Sequence, residues 1–245
     1  MGDMVEVKAQ LPVPAYVARP DGAPKGAVIV IHEVWGLADH IKSVADRLAV
    51  EGYLALAPDL LSGTGVDVGS IINLQEALFD PARRNEVQPV LRKALAPMQE
   101  PEFGTKTLER LKACFDYVYQ LPEVNQKVAV MGFCFGGTYS YSLAVAEPNL
   151  KLALPFYGHS NQSVDELKQI TCPIRAFFGA NDENLISGLP DLTDRMKEAG
   201  VDFVSKVYPN SGHAFFNDTN RNAYNAEAAA DSWKLSLEYL AKYVG

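Results

Sequence analysis

Cysteine is scarce in this 245-residue chain, and none of the three, Cys114, Cys134 and Cys172, falls in a Cys-x-x-Cys pair. An odd, sparse set argues against a disulfide framework and for free thiols in a reducing compartment. Histidine is scarce too: the four show no metal-ligand spacing, so neither a metal nor another cofactor is expected. Basic charge is in deficit, with 22 Lys and Arg against 30 Asp and Glu, a net charge of −8 and no basic run. That argues against nucleic acid or an anionic membrane surface and for a small-molecule substrate. No window approaches the roughly 18 apolar residues of a membrane span. Asp3 and Glu6 stand where a secretory signal would be basic and then apolar, so a cytoplasmic protein is expected. Repeats and polar linkers are missing as well, which makes a single domain, 1–245, the economical count. Whether it is a monomer or a homodimer is left open.

What the chain does have is alternation. Residues 4–19 alternate around Pro12 and Pro14 and predict a short antiparallel pair at a sheet edge. Residues 26–31 form a continuous apolar, β-branched run, the mark of a strand buried on both faces. Further strands are predicted at 53–57, 152–157, 174–178 and 203–208. Helical stretches are predicted after residue 39, at 105–120, from 135 to 147, near 165–169, at 190–199 and from about 222 to 243. The fold expected is α/β: a doubly wound, mainly parallel sheet with helices on both faces and the antiparallel N-terminal edge. Residues 61–104 interrupt it as an irregular helical excursion, with helices at 70–79 and 83–96, and are expected to cover the sheet edge.

The hub is Lys127 to Ser140, where a short apolar run leads into Gly132-Phe133-Cys134-Phe135-Gly136-Gly137 and then into a helix. A nucleophile elbow needs that strand-turn-helix context, with little bulk two residues before and after the nucleophile. A thiol is mostly protonated near neutrality and needs a base. His213, in Asn210-Ser211-Gly212-His213, follows the strand ending at Tyr208, and Asp182, in Gly179-Ala180-Asn181-Asp182, follows the one ending at Phe178. In an open parallel sheet, functional groups gather beyond the carboxyl ends of strands, and the order nucleophile, acid, histidine is that of the α/β-hydrolases. Cys134, His213 and Asp182 are therefore expected to be nucleophile, base and orienting acid, with the N–H of Phe135 facing the oxyanion. His159, just past a strand, is expected to line the pocket. His32 reads as a structural residue at a strand end, His40 as one on a solvated helix start, and Cys114 and Cys172 as packing residues.

The segments Ile31-His32-Glu33-Val34-Trp35-Gly36-Leu37, Gly132-Phe133-Cys134-Phe135-Gly136-Gly137, Gly179-Ala180-Asn181-Asp182 and Gly212-His213-Ala214-Phe215-Phe216-Asn217, closed by Tyr224 to Ala230, resemble the dienelactone hydrolase (carboxymethylenebutenolidase) family. The resemblance implies an α/β-hydrolase-like fold and a Cys-His-Asp triad that cleaves lactones and other esters by acyl transfer. It also implies that Glu33 lies beside the resting cysteine and holds the thiol inert, and that the N–H of Val34 completes the oxyanion hole. The family's dienelactone enzymes hold a substrate carboxylate with two arginines. One matches Arg83 or Arg84; the other falls at Asn217, so a neutral aryl or short-chain ester is expected ahead of the dienelactone, with Trp35, Phe215 and Phe216 lining the site. Two rival functions are a redox-responsive thiol protein and a non-catalytic binding protein on the same fold.

Overall fold

Along the third strand, Ala27, Ile29 and Ile31 point into one apolar layer, and Val28 and Val30 into the other. All five are fully buried, and at about 1.5–3 kcal/mol for each Val or Ile withdrawn from water, such a strand is driven to the middle of a sheet covered on both sides. The computed structural model describes residues 2–245. Its strands are β1 (Asp3–Val7), β2 (Val13–Ala18), β3 (Ala27–Ile31), β4 (Leu54–Pro58), β5 (Val128–Phe133), β6 (Leu152–Phe156), β7 (Ile174–Gly179) and β8 (Phe203–Tyr208). They form one sheet in the order β1-β2-β4-β3-β5-β6-β7-β8. β2 is antiparallel to both its neighbours, and every other pair is parallel. The proline-marked antiparallel edge and the central β3 and β5 are thus where the sequence predicts them.

The helices are α1 (Asp39–Val50), α2 (Val68–Ile71), α3 (Gln75–Leu78), α4 (Arg84–Ala94), α5 (Phe103–Tyr119), α6 (Phe135–Ala146), α7 (Val164–Leu167), α8 (Glu183–Glu198) and α9 (Ala226–Tyr243). Helices α5, α6 and α8 pack Leu111, Phe115, Leu143, Leu192 and Met196 into one face of the sheet. Helices α1 and α9 pack Ile41, Val44, Leu48, Ala229 and Leu240 into the other. Cys114 and Cys172 are buried in the first layer, as their apolar surroundings predict.

Three expectations are corrected. The helix predicted at 70–79 is broken into α2, a 3-10 turn and α3, because no single apolar stripe runs its length. The excursion does more than meet the sheet edge, where Gly63 lies near Leu11: Ile71, Ala77, Val87, Leu91 and Ala94 also close over Trp35, just past β3. Helix α8 starts at Glu183 and carries Pro190 in its interior. Among the described residues no helix is long and apolar enough to cross a membrane.

Candidate active site

Gly132 and Gly136 make the turn after β5 possible. A Cβ on Gly132 would strike the carbonyl of Gly136, and one on Gly136 would strike the carbonyl of Ile31. Between them Cys134 takes φ 55 and ψ −108, a conformation that costs a residue with a Cβ about 1–3 kcal/mol. The neighbouring strands hold it there: the Cys134 N–H donates to the Phe156 carbonyl and the Gly136 N–H to the His32 carbonyl, each at 3.0 Å. The side chain is left half-buried at the N-terminus of α6, where the helix dipole favours an anion.

Loops from β7 and β8 meet at the same end. The Ala180 N–H donates to the Tyr208 carbonyl at 2.9 Å and the Asn181 N–H to the Ser211 carbonyl at 2.8 Å, so the two loops travel together. They bring Asp182 Oδ2 to 2.5 Å from His213 Nδ1. Asp182 starts α8 but makes no capping bond with its side chain, which is spent on the histidine. Because a carboxylate only accepts, Nδ1 carries the hydrogen and Nε2 is left with a lone pair able to accept one. Burial disfavours the charged imidazole, but the Cys134 sulfur and the Asp182 carboxylate outweigh it and hold His213 well above its ordinary pKa. Asn225 secures the loop from below: it caps α9 through Oδ1 and donates to Ser211 Oγ at 2.9 Å.

The loop after β3 is fastened by His32. Its Nε2 accepts from the Leu60 N–H at 3.0 Å, so Nδ1 bears the hydrogen and donates to the Glu33 carbonyl at 2.6 Å. With both nitrogens used and burial pushing its pKa down, His32 is the structural residue that its position predicts. Glu33 follows, buried, with Asn217 Nδ2 at 2.7 Å and the Tyr157 hydroxyl at 3.4 Å. Its carboxylate is engaged by these two donors. Among the described residues the N–H groups of Val34 and Phe135 are absent from the backbone hydrogen bonds of the turns, loops and caps.

An open cavity of about 1080 Å³ lies beside His213 and Asp182, walled by Leu78, Phe79, Pro81 and Arg84 of the excursion and by loop asparagines. Arg84 is the one Lys or Arg among the described residues lining it; Arg83, exposed like Arg84, does not line it. The other expected wall residues do not line this cavity. Phe215 and Phe216 are 0% and 2% exposed, packed against Phe156 and Tyr208 or Phe133 and Trp233 in the core. Trp35 is buried beneath α4, and Asn217 is buried on Glu33. His159 stays at the surface outside this cavity, with Nδ1 3.2 Å from Thr138 Oγ1; partial desolvation and the nearby His213 lower its pKa. His40, expected in solvent, is buried against Phe133 and Phe216 with Asp218 at 3.1 Å. Sequence reasoning missed Tyr157, Gln75 and Phe79. Tyr157 sits at the end of β6, a signal that was available, whereas Gln75 and Phe79 belong to the patternless excursion. No group of three or more His, Cys, Asp or Glu side chains among the described residues is gathered as a metal site.

A strained side chain in a strand-turn-helix elbow, with an acid and a histidine on the following strand ends, defines an α/β-hydrolase. Within that class the chain belongs to the dienelactone hydrolase family, whose profile matches residues 13–244, and it is a hydrolase of that type. A Saccharolobus solfataricus protein provisionally named a carboxymethylenebutenolidase is 35% identical over 93% of both chains. Protein usf of Aquifex pyrophilus is 32% identical over the full length of both. A solved structure from Klebsiella pneumoniae, provisionally named a dienelactone hydrolase, superposes with a TM-score of 0.82 at 28% identity over 99% of each chain.

Proposed function

We propose that the protein is a cysteine-dependent hydrolase of esters or lactones, acting by acyl transfer through Cys134, His213 and Asp182. The observation that carries this is the 2.5 Å bond from His213 to Asp182, with the Cys134 sulfur among the groups that favour the charged imidazole. The thiolate attacks the carbonyl carbon, and the oxyanion faces the N–H groups of Val34 and Phe135; a single such donor is typically worth about a hundredfold or more in rate. His213 gives its proton to the leaving alcohol. It then takes one from water, which attacks the thioester, releases the acid and returns the thiol. A single α/β domain spanning 1–245 carries the reaction, and no cofactor enters it.

On scope, neutral aryl or short-chain esters come first. Phe79, stacked near His213 at 6.5 Å between ring centroids, is the aromatic wall that supports it. Arg84 in the same cavity favours a second reading, an anionic lactone such as the dienelactone. With a chromogenic ester, wild type should release the reporter alcohol in a burst and Cys134→Ala should not; equal release would end the acyl-transfer reading. Arg84→Ala should lower kcat/KM about tenfold on anionic lactones while sparing neutral esters, if the second reading holds.

A further inference from the structure

The cavity of about 1080 Å³ has His213 and Asp182 in its wall but not Cys134, so it opens on the imidazole's side of the reacting centre. In the acyl transfer above, that is the side from which the alcohol leaves, because His213 gives it the proton. The space is as large as small-molecule pockets usually come. Its wall is rich in asparagine, and only some of these serve the fold. Asn222 and Asn225 spend their amides on the Glu76 carbonyl and on Ser211 Oγ. Asn181, Asn184 and Asn210 differ. Their backbones are committed: the Asn181 N–H donates to the Ser211 carbonyl, and the Asn184 and Asn210 carbonyls accept from Ser187 and Asn225. Among the described residues their side-chain amides have no partner, and all three residues are exposed. Asn210 takes φ 54, a conformation that favours asparagine for its backbone alone; Asn181 and Asn184 have no such reason.

Two aromatic side chains share this wall: Phe79 of the excursion and Tyr224, which is 41% exposed. Charge at the wall is of both signs. Glu183 and Glu227 set two carboxylates against the guanidinium of Arg84, while Asp182 is spent on His213. An amide donates and accepts, and a carboxylate only accepts, so the wall suits a neutral ligand whose groups do both. Hydroxyls do both, and the C–H face of a sugar ring packs on aromatic surface. A plain alkyl or aryl alcohol would leave these amides and carboxylates to water. Resting on the acyl-transfer reading above and narrowing its short-chain esters, we propose that the alcohol half of the substrate is a polyhydroxylated ring: the protein deacylates a sugar ester. Asn181 and Asn184 bind hydroxyls, and Phe79 and Tyr224 pack on the ring. The Cys134 sulfur bonds to the carbonyl carbon, the C–O bond to the sugar breaks, and the sugar oxygen leaves with the His213 proton. Water then cleaves the thioester and returns the thiol.

The test is the ratio of kcat/KM on two acetates, with phenyl acetate measured alongside. One is methyl glucopyranoside acetylated at its primary hydroxyl; the other is cyclohexyl acetate, a ring ester without hydroxyls. Wild type should favour the sugar ester by about tenfold or more, the effect of a few hydrogen bonds at an open site. Asn181→Ala combined with Asn184→Ala should bring the ratio to within about threefold of parity. Damage to the triad would lower both rates and leave the ratio where it was. A wild-type ratio near parity overturns the proposal, and so does a ratio that the double variant leaves unchanged. If the double variant does not fold, the wild-type ratio decides alone. Phenyl acetate cleavage that is lost in Cys134→Ala, together with a ratio near parity, removes the sugar and leaves the acyl-transfer reading standing. Failure of wild type on all three esters defeats both.

Discussion

Asp182→Asn removes the acceptor behind His213 while keeping nearly the same volume. The bond it breaks is 2.5 Å long and charge-assisted, between a carboxylate 10% exposed and an imidazole 31% exposed at the side chain. A hydrogen bond to a charged partner is worth about 1.5–3 kcal/mol, which is roughly ten- to a hundredfold in the population of the imidazolium–thiolate pair. The tautomer adds to this. An amide turned to donate toward Nδ1 forces the ring hydrogen onto Nε2, where it faces the sulfur and cannot take the thiol proton. Together these effects should lower kcat/KM on a chromogenic ester by about two to four orders of magnitude. The variant should still fold, with an unaltered near-ultraviolet circular dichroism spectrum. The pH dependence carries an independent sign. His213 titrates above its ordinary value despite burial, because Cys134 and Asp182 favour its charge. Its contribution to stability is therefore complete below the unfolded value of about 6.5 and is lost as pH rises through the folded one. Asp182→Asn lowers the folded value, so the fall of Tm with rising pH should become shallower. A folded variant with kcat/KM within threefold of wild type, or with an unchanged slope of Tm against pH, would refute the role assigned to this pair.

Two further outcomes follow from burial and from the elbow. Burial pushes both Cys114 and Cys172 up to about 12, so alkylation of the native protein near neutrality should add one label per chain, at Cys134, by intact mass and peptide mapping. A second rapid label would mean that these thiols are not sealed in the first apolar layer. Gly132→Ala should destabilise the fold by at least about 3 kcal/mol in urea denaturation, since its Cβ must displace the Gly136 carbonyl at the start of α6. A loss below about 1 kcal/mol would show that the elbow can relax.

Features set by short stretches of chain were legible in the sequence. The β-branched run of β3, the prolines beside the edge strands and the Gly-x-Cys-x-Gly turn each state their conformation within a few residues. The positions of Asp182 and His213 were legible because a parallel sheet gathers its strand ends. The aromatic residues after His213 misled for a physical reason. Phe215 and Phe216 follow a loop that turns back under the sheet, so proximity in sequence to His213 carries them into the core instead of the cavity. His40 misled in the same way, since the start of α1 is covered by the loop bearing Asp218.

The hold on Glu33 lies outside the reach of local patterns altogether, because Asn217 meets Glu33 across 184 positions and Gln75 across 142. Only the closed fold brings the three together. An arginine at residue 217 would neutralise Glu33 and add a cation to the site, whereas asparagine supplies two hydrogens and no charge. Among the described residues Glu33 is met by neutral donors. It has to be fixed by geometry, through Thr219 orienting the amide and α3 receiving its second hydrogen. The irregular excursion, which no hydrophobic period specifies, thus enters the packing around Glu33 through Gln75.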